Sequence, residues 1–328
     1  MGARVDGDVV VPDGGLAAPG AVAGLDIGGS KVHGVLVAGG QVVAERRCAV
    51  AHGPDGVVAS AAAAVAALLA EARDAGVPVR LEAVGAGVPG VVAPGRGTVQ
   101  HAVNLGIVEA APVGPVLAER LGVPVVVEND LNVAALGAAR TLGLGEDLAY
   151  LALGTGLAAG LLLDGRLRRG SVGAAGEIGH VPYRPDGRAC PCGQRGCLEQ
   201  YASGSAVDAD WAADGVPGPV RLFAAAAVGD PRAVRVRDEL ADAVAFAVQV
   251  LVLTTDVRHV VLGGGVAQVG GPLLEAVRAA TARRAAASPF LATLRIADRL
   301  RLGAAGLAVA PVGAALAAQE LLGVPWRS

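Results

Sequence analysis

Four residues that bind soft metals fall close together in this chain: His180, then Cys190, Cys192 and Cys197. The three cysteines span eight residues, and the histidine stands ten before the first of them. One imidazole and three thiolates can close a tetrahedral shell around Zn²⁺ with no position left for water, so such a site builds structure and runs no chemistry of its own. The chemistry would belong to its neighbours. Glu177 and Glu199 bracket the ligands, in Glu177-Ile178-Gly179-His180 and Cys197-Leu198-Glu199. A metal that stiffens this loop would hold two hydrogen-bond acceptors in place, which is how a protein would grip a polyhydroxylated ligand such as a sugar. A disulfide between Cys190 and Cys197 is the competing use of these thiols. No signal peptide is legible in the first residues, so the thiols are expected to stay reduced. A zinc ribbon for nucleic acid would show two paired knuckles in a basic surround, against one cluster and a formal charge of −3 here. Cys48, alone in an expected strand, reads as a small buried hydrophobe.

Three glycine-bearing segments come next. In Asp26-Ile27-Gly28-Gly29-Ser30-Lys31 the glycines let backbone approach a phosphate, Ser30 and Lys31 can donate to it, and Asp26 can hold Mg²⁺ directly or through water. The plain alternative is a tight hairpin turn. Gly154-Thr155-Gly156 invites the same two readings. Gly263-Gly264-Gly265, expected to open the helix Pro272–Ala286, is either a place for a nucleotide to lie against backbone or ordinary close packing. Glu128-Asn129-Asp130 follows an apolar run and precedes a helical pattern. Asn or Asp at such a junction is an ordinary helix cap. Yet α/β proteins place their sites at the carboxyl ends of strands, and a carboxylate there could take the proton from a sugar hydroxyl as it attacks a γ-phosphate. Asn104 is either a further polar contact or a turn asparagine.

The elements that must position these residues follow an α/β grammar. Strands are expected at Val22–Ile27, Val32–Val37 and Gln41–Cys48, and again at Leu148–Leu153 and Leu157–Leu163. In both sets eleven residues separate the first loop glycine from the turn glycine, Gly28 to Gly39 and Gly154 to Gly165, which points to duplicated halves. Helices are expected at Val57–Arg73, Pro115–Leu121, Leu131–Leu142, Arg232–Val252, Pro272–Ala286 and Ala310–Leu322, with further strands at Leu81–Gly87, Val123–Val127 and Val257–Leu262. Parallel strands with helical crossovers fit this alternation. The boundary between halves is expected near residue 130, with the last helix folding back on the first half.

Composition narrows the function classes. The 328 residues are 53% apolar, mostly Ala, Val and Gly, and only 2% aromatic, so platforms for stacking nucleobases are scarce. No Lys/Arg run stands out, and the long uncharged runs near Val57–Ala70 and Leu302–Gln319 are Ala-rich or broken by Gly and Pro. Neither nucleic acid nor membrane is an expected partner, and a cytoplasmic protein is. Residues 1–21, rich in Gly, Pro and Asp, read as a disordered tail with no recognition-helix pattern, which argues against a DNA-binding regulator.

Taken together these residues resemble the ROK family (repressors, open reading frames and kinases), and within it the glucokinase-like sugar kinases. The resemblance covers roughly residues 22–320 and rests on Glu177-x-Gly179-His180 with Cys190-x-Cys192-Gly193-x-x-Gly196-Cys197-x-Glu199, in order after Asp26-x-Gly28-Gly29, Asn129-Asp130 and Gly154-Thr155-Gly156. It implies the actin-like ATPase fold, a duplicated RNase H-like α/β architecture with two lobes around a central cleft. On that pattern residues 22–130 form a small lobe, a helix at about 310–328 packs back on it, and residues 131–309 form a large lobe carrying the zinc loop. The resemblance implies sugar contacts from Asn129, Asp130, Glu177, His180 and Glu199, with Gly90 and Asn104 lining the pocket. His180 would place one ring nitrogen on zinc and the other on a sugar hydroxyl. Asp130 would be the catalytic base, and the glycine loops with Gly264 and Gly265 would bind ATP with Mg²⁺. A hexose 6-hydroxyl is the implied acceptor, glucose first, with N-acetylhexosamine or fructose as alternatives; a catalytically weak sugar-binding or regulatory protein without a DNA-binding domain is the other alternative, and a homodimer or homotetramer is the implied assembly. The chain departs from the pattern at Gly106-Ile107-Val108, where many relatives carry Pro-Gly-Trp. It also has Ala158 and Ala159 where glycines are frequent, and Ser30 in place of Thr.

Overall fold

The computed structural model describes residues 18–145, 147–211, 218–303 and 306–324. Most of the expected N-terminal tail, and the last residues of the expected C-terminal helix, lie outside that set.

The first half opens with β1 (Gly20–Ile27), β2 (Lys31–Ala38) and β3 (Gln41–Ala49), an antiparallel meander whose second turn takes Gly39 and Gly40 at φ 56° and 76°. Helix α1 (Pro54–Asp74) starts on a proline, which suits the first helical turn, and buries Val57, Ala61, Val65, Leu68 and Ala72 against this sheet. By length and composition alone α1 is apolar enough to cross a membrane; its apolar stripe is spent on the core. There follow β4 (Arg80–Val88), the small hairpin β5 (Val91–Ala93) and β6 (Thr98–Gln100), α2 (Val113–Leu121), β7 (Val125–Asn129) and α3 (Asp130–Leu142). The second half repeats the pattern with β8 (Leu148–Leu153), β9 (Leu157–Leu163) and β10 (Arg166–Leu167). It continues through α4 (Gly204–Asp210), α5 (Gly218–Ala227), α6 (Pro231–Thr255), β11 (His259–Gly263), α7 (Gly271–Ala286), α8 (Pro289–Thr293), β12 (Leu300–Leu302) and α9 (Val309–Leu321).

Among the described residues ten of these strands form two five-stranded sheets, ordered β3-β2-β1-β4-β7 and β10-β9-β8-β11-β12, and β5 and β6 pair only with each other. Each is an antiparallel meander continued by two parallel strands. The repeat suggested by the glycine spacing is therefore a repeat of topology. Between the sheets α3 packs on β8 and β9, α9 packs on β1 and β4, and the two helices pack on each other. They cross at Gly137 and Gly313. A Cβ on Gly313 would collide with the Val133 carbonyl and lie 2.7 Å from the Gly137 amide nitrogen, while one on Gly137 would strike the Val309 carbonyl. Only glycine permits backbones to come this near.

Three local expectations change. The strand expected to stop at Val127 runs on through Glu128 and Asn129, because these pair in register with Gly87 and Val88 of β4. Cys48 is half-buried rather than buried, since β3 is an edge strand. The triple glycine does not open α7 directly; a single helical turn, Val266–Val269, intervenes. Helices α4 and α5 had no counterpart in the sequence reading.

Candidate functional site

The quartet of candidate metal ligands comes together. The ligand atoms of His180, Cys190, Cys192 and Cys197 all lie within 4.8 Å of one another. Cys192 Sγ is 3.6 Å from Cys197 Sγ, and Cys190 Sγ is 3.9 Å from His180 Nδ1. With zinc–ligand distances of about 2.0–2.3 Å, the edges of a tetrahedron come to roughly 3.5–3.8 Å, so the quartet has the dimensions of a zinc shell. All four cysteines are unbridged in the structure. The Gln194 backbone N–H and side-chain amide hold the Cys192 thiol down at about 6, while burial and the neighbouring Cys192 and Cys190 sulfurs push Cys197 up. Three crowded thiols resist joint ionisation, and a divalent cation removes that conflict. Since Nδ1 faces the sulfurs, Nε2 of His180 is the ring nitrogen left for another partner.

The knuckle is braced by its own side chains. Tyr201 lies between two guanidinium groups, Arg184 and Arg188, each 4.9 Å from the ring centroid. Arg188 also donates to Asp210 at 2.7 and 2.9 Å and to the Gln200 carbonyl. Glu199 reaches out of the knuckle: its Oε2 accepts from the Leu157 amide at 3.0 Å. One of the two bracketing carboxylates thus ties the metal loop to the root of the second glycine turn, a contact additional to the sugar role expected for it.

Asn129 and Asp130 sit at the junction of β7 and α3. Asn129 caps the helix, its Oδ1 accepting from Leu131 N at 2.9 Å, and its Nδ2 donates to the Gly90 carbonyl at 3.1 Å. The cap reading is correct, and it leaves Asp130 at the first helical position. Burial raises the Asp130 carboxyl above the ordinary aspartate range; the Leu131 amide opposes this and the charge of Glu177 adds to it. Asp26 is raised to about 6, first by burial and then by Asp130, with Lys31 opposing. Asp26, Asp130 and Glu177 therefore share one electrostatic neighbourhood, although they come from β1, α3 and the loop that carries the Cys/His quartet. A raised carboxyl that faces a second carboxylate is what a proton acceptor tuned toward neutral pH requires. Asn104 stands beside the first glycine loop, where a Cβ on Gly29 would be 3.0 Å from the Asn104 Cβ.

Both glycine loops are tight turns, with Gly28 N donating to Lys31 O at 2.9 Å and Gly154 N to Gly156 O at 3.0 Å. Ser30, Lys31 and Thr155 are exposed on them. Gly264, at φ 82°, lies against the second turn, where a Cβ would be 2.6 Å from Leu153 O; Gly265 follows it at the surface. Between the two sheets lies a cavity of about 360 Å³ lined by Asp26, His33, Tyr150, Gly264, Gln268 and Pro311 among others. Tyr150, His33 and Gln268 were not read from sequence. The lone tyrosine in the apolar run Leu148–Leu153 was the signal for the first. Ala159 is buried in the core, so its methyl lies away from the turn; Ala158 is half-buried. Glu128, the third polar residue of its trio, is turned away from the site onto Arg169 and Asn132.

The chain has close relatives in sequence and structure. The ROK family profile matches residues 22–319. A glucokinase of Streptomyces coelicolor is 34% identical over 279 residues, covering 78% of this chain and 85% of that protein. A ROK hexokinase from Thermus thermophilus superposes with a TM-score of 0.78 at 34% identity, over 92% of this chain and 99% of the other. A ROK family glucokinase from Streptomyces griseus, solved in complex with glucose and AMPPNP, superposes with a TM-score of 0.73 at 33% identity over the same shares.

Proposed function

The chain belongs to the ROK family, and on that footing we propose that it transfers the γ-phosphoryl group of ATP to the 6-hydroxyl of a hexose, with glucose the first acceptor to test. It is an ATP-dependent sugar kinase with the actin-like ATPase fold, similar to glucokinases over most of its length. The observation that carries the finer reading is Asp130: a part-buried carboxyl at the start of α3, raised by burial and by Glu177, beside a cap residue that ties it to Gly90. Asp130 is the general base that takes the proton of the attacking hydroxyl. Asn129, Glu177, His180 Nε2 and Glu199, with Gly90 and Asn104, hold the sugar. Ser30, Lys31 and the two glycine turns receive the phosphates, while Gly264 and Gly265 bear the nucleoside.

His180, Cys190, Cys192 and Cys197 fit zinc, which would supply rigidity to the loop carrying Glu177 and Glu199. Asp26 is the side chain placed to hold Mg²⁺, which would offset phosphate charge. Positioning and charge compensation are most of what phosphoryl transfer asks of a protein, so one base and a rigid acceptor set suffice. The test is a panel of hexoses, including glucose, N-acetylglucosamine, N-acetylmannosamine and fructose, with ATP and Mg²⁺, followed by ADP release. Asp130→Asn is expected to lower kcat by about 10²–10⁴, the range for a lost general base. Unchanged turnover in that variant would remove Asp130 from the role.

A further inference from the structure

Glu128 is the least exposed acidic residue among the described residues, at 6% exposure, and its partner follows a strand of the other sheet. Its Oε1 accepts from both Nε and Nη2 of Arg169, the former at 2.7 Å, and its Oε2 accepts from Asn132 Nδ2 on α3 at 3.4 Å. Glu128 lies in β7, immediately before the Asn129 cap and Asp130. Arg169 lies just past β10 and begins the segment that ends in Glu177. That segment is held along its length. The Ala175 amide donates to Arg169 O at 3.2 Å, and Ala159 N donates to Gly176 O at 2.8 Å. At Gly173 the backbone passes so near the small β5–β6 hairpin that a Cβ would be 3.1 Å from Val92 O. The loop therefore leaves the second sheet, touches β7 of the first through Arg169, passes the separate β5–β6 hairpin at Gly173, and returns to β9 one residue before Glu177.

We propose that Arg169 is a positioning residue for the sugar: its two-pronged grip on Glu128 sets the spacing between Asp130 on one wall of the pocket and Glu177 on the other. The inference deepens the kinase reading and rests on it. Arg169 touches neither substrate nor reacting atoms. It acts by fixing two backbone segments whose side chains do. A guanidinium is needed because its fork can meet the carboxylate through two donors at once, whereas a lysine offers a single point charge. The ion pair is also the direct side-chain link between the strand that ends at the base and the loop that ends at the sugar-binding acid, and their closeness is already visible in the field of Glu177 on Asp130.

The test compares wild type with Arg169→Lys, Arg169→Gln, Glu128→Gln and the Glu128→Gln/Arg169→Gln double variant, measuring kcat, KM for glucose, KM for ATP and thermal unfolding. A displaced near-attack geometry is expected to raise the glucose KM and lower kcat in Arg169→Gln by about tenfold each, with the ATP KM changed by no more than about twofold. Glu128→Gln should behave alike, and the double variant should be no worse than the poorer single, because both remove one contact. Arg169→Lys should recover part of the loss, and it carries the test alone if the glutamine variants do not fold. Folded variants with wild-type glucose kinetics would overturn the proposal. So would glucose and ATP KM values rising in parallel with falling stability, the mark of a merely structural pair. A wild-type protein inactive on every hexose would overturn the kinase reading together with this one; an active wild type with unaffected variants overturns this one alone.

Discussion

Replacing Gly313 by alanine tests the helix crossing on which the site is built. The added methyl would overlap the Val133 carbonyl and stand 2.7 Å from the Gly137 nitrogen, and both obstacles are backbone. Side chains can rotate away from a new methyl group; a helical carbonyl cannot. The helices must therefore part by roughly 1 Å, and overpacking of this kind costs about 1–3 kcal/mol, with rigid walls at the upper end. For a chain of this size the unfolding entropy is about 0.7 kcal/mol per degree, so a loss of about 3 kcal/mol lowers Tm by about 4 °C. The same movement shifts Asp130, which begins the helix that contains Val133 and Gly137. Misplacement of about 1 Å at reacting groups can cost as much as 10²-fold, so kcat should fall with Tm. Scanning calorimetry and ADP release on the purified variant measure both. A Tm within about 1 °C of wild type, with unchanged kcat, would show that α3 and α9 do not meet as described and refute the reasoning.

Other perturbations act on the site itself. The raised pKa of Asp26 means that the folded state holds its proton more tightly than the unfolded chain; the resulting stabilisation is complete below the unfolded value of 3.8 and is lost as pH rises through about 6. Without nucleotide and Mg²⁺, Asp26→Asn should therefore melt higher than wild type at pH 8, by about 1–3 kcal/mol, and show little gain at pH 4, while losing turnover. Equal melting at pH 8 would contradict this. The raised Asp130 carboxyl should place the acidic limb of the kcat/KM profile above the ordinary aspartate range, and Asp130→Asn should abolish that limb; a limb near pH 4 would argue against it. Glu199→Ala frees the Leu157 amide, so KM should rise for ATP as well as for glucose, and a change confined to glucose would remove the link to the phosphate turn.

Much of the candidate site was legible because its residues are near one another in sequence. The Cys/His quartet lies within His180–Cys197, and Asn129 and Asp130 announce themselves at a strand–helix junction. The hairpin strands were found because alternating apolar runs bounded by glycine are a local signal, and Leu148–Leu153 and Leu157–Leu163 have the expected bounds. What escaped depends on partners far away. The extension of β7 into Glu128 and Asn129 comes from pairing with β4, and the Glu128–Arg169 bridge spans 41 residues. Nothing in an alanine-rich run marks Gly137 and Gly313 as the point where two helices meet. Cys48 looked like a core residue because strand composition does not reveal which strand is the edge.

If a metal-braced loop holds the sugar beside Asp130, zinc content and glucose affinity must change together, and the most direct measurement combines the two in wild type and Cys192→Ser. Wild type is expected to carry one zinc per chain by elemental analysis and to bind glucose in calorimetry. Cys192→Ser is expected to lose the metal and, with it, both thermal stability and glucose affinity. A folded, zinc-free protein that binds glucose as tightly as wild type would contradict the account.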